Sequence, residues 1–354
     1  MKKHIWLKGA VASAAAVMVL APLTAQADVK IETLTHVNEI TGVTNHDSDT
    51  TDYIQGDKMR EENLRKFTGS VLGAWQKFRG EDKGSMDIDI FDVSANKHWN
   101  MDPQKKVYTV ESIYDPNQPS KAPPQGGTTQ QPQQDQQDKD VKVTKNEFTV
   151  KDTGQTKNVN GFDTHEYLIT WDYETLNTKT GETGKNLMTT DTWTSTDAKL
   201  AKARETQMAY GKAYRQLMHM PGSEGGYDVS SVYGLDNGHV IVNGQDMKSD
   251  IDKLHTIKGL PVSTDVTWEA GGTDKDGKQT NDSDAGKDSG KSLDSALGSL
   301  FGSKKSDDSS NQPAKQGTPG MTTIFSSHYE VKGVDTSAVD ASQFQVPADY
   351  KVDN

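Results

Sequence analysis

Met86-Asp87-Ile88-Asp89-Ile90 alternates apolar and acidic side chains one for one. A period of two sends successive side chains to opposite faces, so this stretch predicts a β-strand with one dry and one wet face. Trp99 and Met101 follow, then a turn at Asp102-Pro103, then Val107-Tyr-Thr-Val110. Together they predict an antiparallel meander over 85–113. Upstream, Val29, Ile31 and Val37 share one alternating face, and Gly56-Asp57 is placed as a hairpin turn within 52–60. Downstream, Phe148 and Val150 mark a short strand. Tyr167, Ile169, Trp171 and Tyr173 line one face of a longer one, and 190–194, 259–268 and 321–331 continue the β pattern.

The period changes in two places. Leu64, Phe67, Val71, Trp75 and Phe78 recur at three and four, predicting a helix over 64–79. Its charges are Arg65, Lys66, Lys77 and Arg79, with no acid among them. A stripe of this kind suits a membrane surface or a hydrophobic groove, and equally a helix packed on the sheet with its cations in water. Leu200, Ala203, Gln207, Tyr210, Tyr214 and Leu217 predict a second helix over 198–218, with Asp197 as N-cap and Pro221-Gly222 as its stop. A short helix is expected from Ser249 to Ile257.

The chain has 354 residues, of which 32% are hydrophobic, and eighteen of those fall in the first 27 positions. The remainder is poor in core-forming side chains, so the packed part must be smaller than the chain. Residues 1–27 read as a secretory signal peptide. Lys2, Lys3 and Lys8 form its positive region, Ala10 to Ala21 its apolar run, and Ala25-Gln26-Ala27 its cleavage site. Cleavage there removes three lysines and no acid, moving the formal charge from −12 to −15. There is no Cys, which excludes disulfides, thiolate metal sites, a Cys nucleophile and a lipidated N-terminus. The expected product is soluble, periplasmic, not transmembrane, and by its acidity a poor partner for nucleic acid or bare anionic lipid.

Residues 115–140 are rich in Gln and Pro, and 271–319 in Gly, Ser, Asp and Lys. Both predict disordered insertions, since they hold too little apolar surface to offset the entropy of ordering. Strand patterns resume after each, so 28–354 is expected to be one β-rich domain. Within the second insertion, Leu293, Ala296, Leu297, Leu300 and Phe301 form an amphipathic stripe, a candidate lid or partner-docking helix.

The motifs of the best-marked enzyme classes are missing: no P-loop, no G-x-G-x-x-G, no G-x-S-x-G and no H-E-x-x-H. Met218-His219-Met220 is the one cluster of soft ligands, and a helix end with inward methionines accounts for it. Asp274 to Asp284 lacks the spacing of a calcium loop and its bidentate Glu. Asp87 and Asp89 are expected on the wet face of their strand. The chain therefore reads as no enzyme, with no cofactor and no metal.

Five local patterns, in order, resemble an uncharacterised family of secreted bacterial proteins similar in fold to the lipoprotein carrier LolA. They are Tyr53-Ile-Gln-Gly-Asp-Lys-Met-Arg60, Asp102-Pro-Gln-Lys-Lys-Val-Tyr-Thr-Val110, Val159-Asn-Gly-Phe-Asp-Thr-His-Glu-Tyr167, Thr192-Trp-Thr-Ser195 and Phe344-Gln-Val-Pro-Ala-Asp-Tyr350. The resemblance implies an α+β fold: a strongly curved antiparallel sheet, an incomplete barrel, with helices on its concave side. LolA-like domains often hold acyl chains in that cavity. The 64–79 helix and both insertions depart from the pattern.

Two functional expectations follow. The first is a carrier for an apolar ligand, with lipid as the candidate class. In it Met86, Ile88, Ile90, Tyr167, Ile169 and Trp171 offer one sheet face to the ligand beneath helical lids. The second is an envelope interaction protein that uses its polar insertions and Leu293, Leu297, Leu300 and Phe301 to hold a partner protein.

Overall fold

The computed structural model describes residues 28–116, 140–220, 241–242, 245–246, 252–274, 276, 278 and 318–353. Residues 1–27, expected to be a signal peptide, nearly all of the two expected insertions and the Leu293–Phe301 stripe lie outside the described residues.

Twelve strands form one sheet. In chain order they are β1 (Asp28–Glu39), β2 (His46–Gln55), β3 (Lys58–Phe67), β4 (Ser85–Asp92), β5 (Lys97–Asp102), β6 (Val107–Glu111), β7 (Val141–Val159), β8 (Phe162–Asn177) and β9 (Thr183–Ser195). The small hairpin β10 (Ile241–Val242) and β11 (Gln245–Asp246) stands apart, and β12 (Leu260–Thr273), β13 (Met321–Asp335) and β14 (Lys351–Val352) complete the set. The spatial order is β14-β6-β5-β4-β3-β2-β1-β13-β12-β9-β8-β7, an open sheet with two edges. Every pairing is antiparallel except β14 with β6. The expected meander is present as β4-β5-β6, and the expected Gly56-Asp57 turn joins β2 to β3 with Gly56 at φ 61°.

Two α-helices accompany the sheet. Helix α2 (Ala198–Leu217) starts where predicted, with the Asp197 carboxylate accepting from the Lys199 N–H at 2.7 Å. Its buried side, Leu200, Ala203, Thr206 and Tyr210, packs on Val29, Ile31, Ile54 and Val331 of the sheet. A 3₁₀ turn at Asp252–Thr256 seats Leu254 against Phe148 and Ile169. The C-terminal segment crosses the other side, with Val339, Phe344, Val346 and Tyr350 packed on Ile88, Ile90 and Met101.

Helix α1 (Ser70–Phe78) corrects the 64–79 expectation. Leu64 and Phe67 belong to β3, paired with Met86 and His46. Pairing with β2 captures both and pairing with β4 holds Leu64 from the other side, and Gly69, at φ −69° and ψ 156°, marks the change from strand to helix. Strand β12 also runs through Gly271–Thr273, three residues into the stretch expected to be disordered.

Candidate functional site: the α2 face of the sheet

Directly paired residues of an antiparallel sheet point to the same face. Following the pairs across the strands therefore assigns each side chain to a face. Phe148, Trp171, Met188, Trp268 and Phe325 are successive partners across β7, β8, β9, β12 and β13. The next rung toward α2 is Val150, Ile169, Thr190, Val266, Ser327 and Val37. The third is Tyr167, Thr192, Thr264, Tyr329 and Thr35. All of these stand on the face that carries α2, since Thr35 alternates along β1 with Ile31 and Val29 beneath that helix.

Of the sequence-predicted residues, Tyr167, Ile169 and Trp171 lie together on this face. Ile169 and Trp171 pack with Phe148 under Leu254. Met86, Ile88 and Ile90 do not join them. Ile90 pairs with Arg60, Arg60 with Tyr53, and Tyr53 with Lys30, which places all three on the opposite face under the C-terminal segment. The physical reason is register. Alternation says which residues of one strand share a face, and only the pairing connects the faces of different strands. Leu293, Leu297, Leu300 and Phe301 lie outside the described residues.

The residues that sequence reading missed are Trp268, Phe325 and Val266. Each is half-buried, and none belongs to the four buried clusters built around α2, the 3₁₀ turn and the C-terminal segment. The available signal was the pair of strands 259–268 and 321–331, but not which of their faces met Tyr167. Five strands at about 4.8 Å spacing make a rung about 19 Å long. Along it Phe148 is buried against Leu254, while Trp171, Met188, Trp268 and Phe325 are half-buried. A cleft of about 300 Å³ opens at the far end of the same strands, lined by Thr144, Glu174, Leu176, Thr183, Gly272 and Met321.

The other half of this face carries a carboxylate rung beside the apolar rung Ile54-Met59-Phe91 under α2. Asp52, Glu61 and Asp89 are cross-strand partners on β2, β3 and β4, three carboxylates in one rung. Burial, and then the charge of Glu61, push the Asp52 carboxyl up to about 7. Its Oδ1 is buried with no hydrogen-bond partner. Burial and Asp89 likewise raise Glu61 and Asp87. His98 bonds Asp89 at 2.6 Å and Glu111 at 3.3 Å and stacks on Phe91. Burial disfavours its imidazolium, but the two carboxylates outweigh burial and its pKa is raised. Asp87 and Asp89 thus face α2's side of the sheet, and the wet face expected for this strand is partly buried.

Among the described residues no group of three or more His, Asp or Glu side chains is arranged to hold a metal ion. No described helix is long and apolar enough to cross a membrane. No family model and no curated protein matches the chain. Among solved structures it is similar to the crystal structure of a DUF1329 family protein from Desulfovibrio piger, at 9% identity and TM-score 0.13. That likeness covers 48% of this chain and 79% of the other. At that score it carries no argument about fold or function.

Proposed function

We propose that the protein is a non-enzymatic binding or carrier protein for an apolar ligand, with lipid acyl chains as the candidate class. The ligand lies across β8, β9, β12 and β13 on the α2 face, against Trp171, Met188, Val266, Trp268 and Phe325. The observation that carries this reading is the half-buried Trp268–Phe325 pair outside every buried cluster. Large apolar side chains in that state gain free energy when a ligand removes their remaining surface from water. In this reading the sheet curves as an incomplete barrel with α2 on its concave side. The protein works in the periplasm after residues 1–27 are removed.

The experiment is displacement of a fluorescent apolar probe, 1-N-phenylnaphthylamine, by a long-chain fatty acid, measured on the wild type and on Trp268→Glu. The reading expects saturable probe binding that the fatty acid displaces and the variant loses. Absence of saturable binding to the folded wild type contradicts it.

A further inference from the structure

Helix α1 is inside out. It buries Gly73 and Gln76 and exposes Val71, Trp75 and Phe78, the last at 89%. These three lie at i, i+4 and i+7, one stripe along the helix. The orientation is held by polar contacts. The Gln76 amide donates to the Arg65 carbonyl at 3.0 Å and accepts from the Phe67 N–H at 3.0 Å. Gly73 sits so close to the end of β3 that a Cβ there would stand 2.8 Å from the Phe67 carbonyl oxygen. The helix therefore cannot roll its apolar stripe inward without breaking these contacts.

The stripe continues beyond the helix. The N–H groups of Thr68 and Gly69 donate to the Asn45 carbonyl, which ties the start of α1 to the β1–β2 loop. That loop exposes Ile40 and Val43. Five of the eight exposed large hydrophobic residues among the described residues thus belong to these two joined segments. These segments and the end of β3, residues 39–45 and 65–83, carry Arg65, Lys66, Lys77, Arg79 and Lys83 against Glu39, Glu81 and Asp82, a local excess of positive charge in a chain of net charge −12, with Arg65 and Lys66 on opposite faces of their strand. The Arg79 guanidinium lies 4.6 Å from the Trp75 ring centroid and also pairs with Glu81 at 3.1 Å.

We propose that this patch docks the protein on an anionic phospholipid surface. Phe78, Trp75 and Val71 enter the boundary between headgroups and acyl chains, and the lysines and arginines meet lipid phosphates. Charge complementarity selects this occupant. A second copy brought face to face would set the same cations against themselves, whereas an anionic bilayer neutralises them. The docking goes beyond the ligand reading and needs no ligand on the α2 face.

The test is flotation of the mature chain with phosphatidylethanolamine/phosphatidylglycerol vesicles and with pure phosphatidylcholine vesicles. Both the wild type and a Val71→Ser/Trp75→Ser/Phe78→Ser variant are measured. The three sites are exposed, so the variant should keep the wild-type melting curve. A Lys66→Gln/Lys77→Gln variant supplies a second arm that leaves the apolar stripe intact. Expected are binding to the anionic vesicles, weaker binding to the neutral ones, loss of about tenfold or more in the triple variant, and weakening at about 0.5 M salt. Equal binding by wild type and triple variant, or no binding of the wild type to anionic vesicles, overturns the proposal. So does a wild-type dimer in sedimentation that the triple variant abolishes without any vesicle binding. Probe binding on the α2 face should survive in the triple variant, which separates this result from failure of the ligand reading.

Discussion

Trp268 of β12 and Phe325 of β13 are direct cross-strand partners on the face of the sheet that carries α2. Both remain half-buried although Trp268 adjoins Met188, which packs beneath the 3₁₀ turn. Replacing Trp268 by Ala should therefore cost little stability, about 1 kcal/mol or less, because little of the packed core is opened. The same change should weaken apolar-probe binding by about tenfold, since it removes contact area from the platform itself. Thermal unfolding and probe titration on one preparation check both halves.

Ile90 and Ile169 are each 1% exposed, but they sit on opposite faces under different covers. Truncating either to Ala should cost roughly 2–5 kcal/mol. Hydrogen exchange should tell them apart. Ile90→Ala should speed exchange in the C-terminal segment around Phe344, and Ile169→Ala around Leu254. Identical exchange patterns would contradict the assignment of faces.

That pair also shows what was legible in the sequence. The strands around Met86–Ile90 and Tyr167–Trp171 were readable because alternation is a local property of one strand. Helix α2 was readable from its stripe and its Asp197 cap. Which faces coincide was not readable, because the register linking β4 to β8 passes through six intervening strands of the sheet. The 64–79 stripe misled for a related reason. Leu64 and Phe67 keep helical spacing with Val71, yet pairing with β2, and for Leu64 also with β4, holds them in a strand. The carboxylate rung was invisible for the same cause, since Asp52, Glu61 and Asp89 meet only through pairing.

Asp52 gives the protein a pH dependence with a definite sign. Its folded-state pKa of about 7 lies above the ordinary 3.8, so the folded state binds the proton more tightly than the unfolded state. Stability should therefore fall as pH rises from about 4 through about 7. His98, whose folded pKa is also raised, loses its contribution as pH rises through that value and adds to the same trend. Asp52→Asn should flatten the profile and raise stability at pH 8 by roughly 1–3 kcal/mol. Melting temperature against pH for the two proteins checks it.

Gln76 holds α1 in place through three bonds, to Arg65, Phe67 and the Ser85 hydroxyl. Gln76→Leu leaves the Phe67 N–H without its partner and should destabilise by roughly 1–3 kcal/mol. Gly73→Ala should destabilise as well, although alanine favours helices, because its methyl group meets a backbone oxygen. Chemical denaturation of both variants, with proteolysis between 70 and 84 as the local readout, checks these expectations.

The central claim is that the α2 face holds an apolar ligand. The most direct measurement is native mass spectrometry of the protein purified from an envelope fraction without detergent, paired with solvent extraction and lipid analysis. The account predicts a reproducible mass increment above the bare chain, matched by an extracted lipid and absent from Trp268→Glu. A wild-type protein that repeatedly flies at its bare mass, with no lipid in the extract, would contradict it.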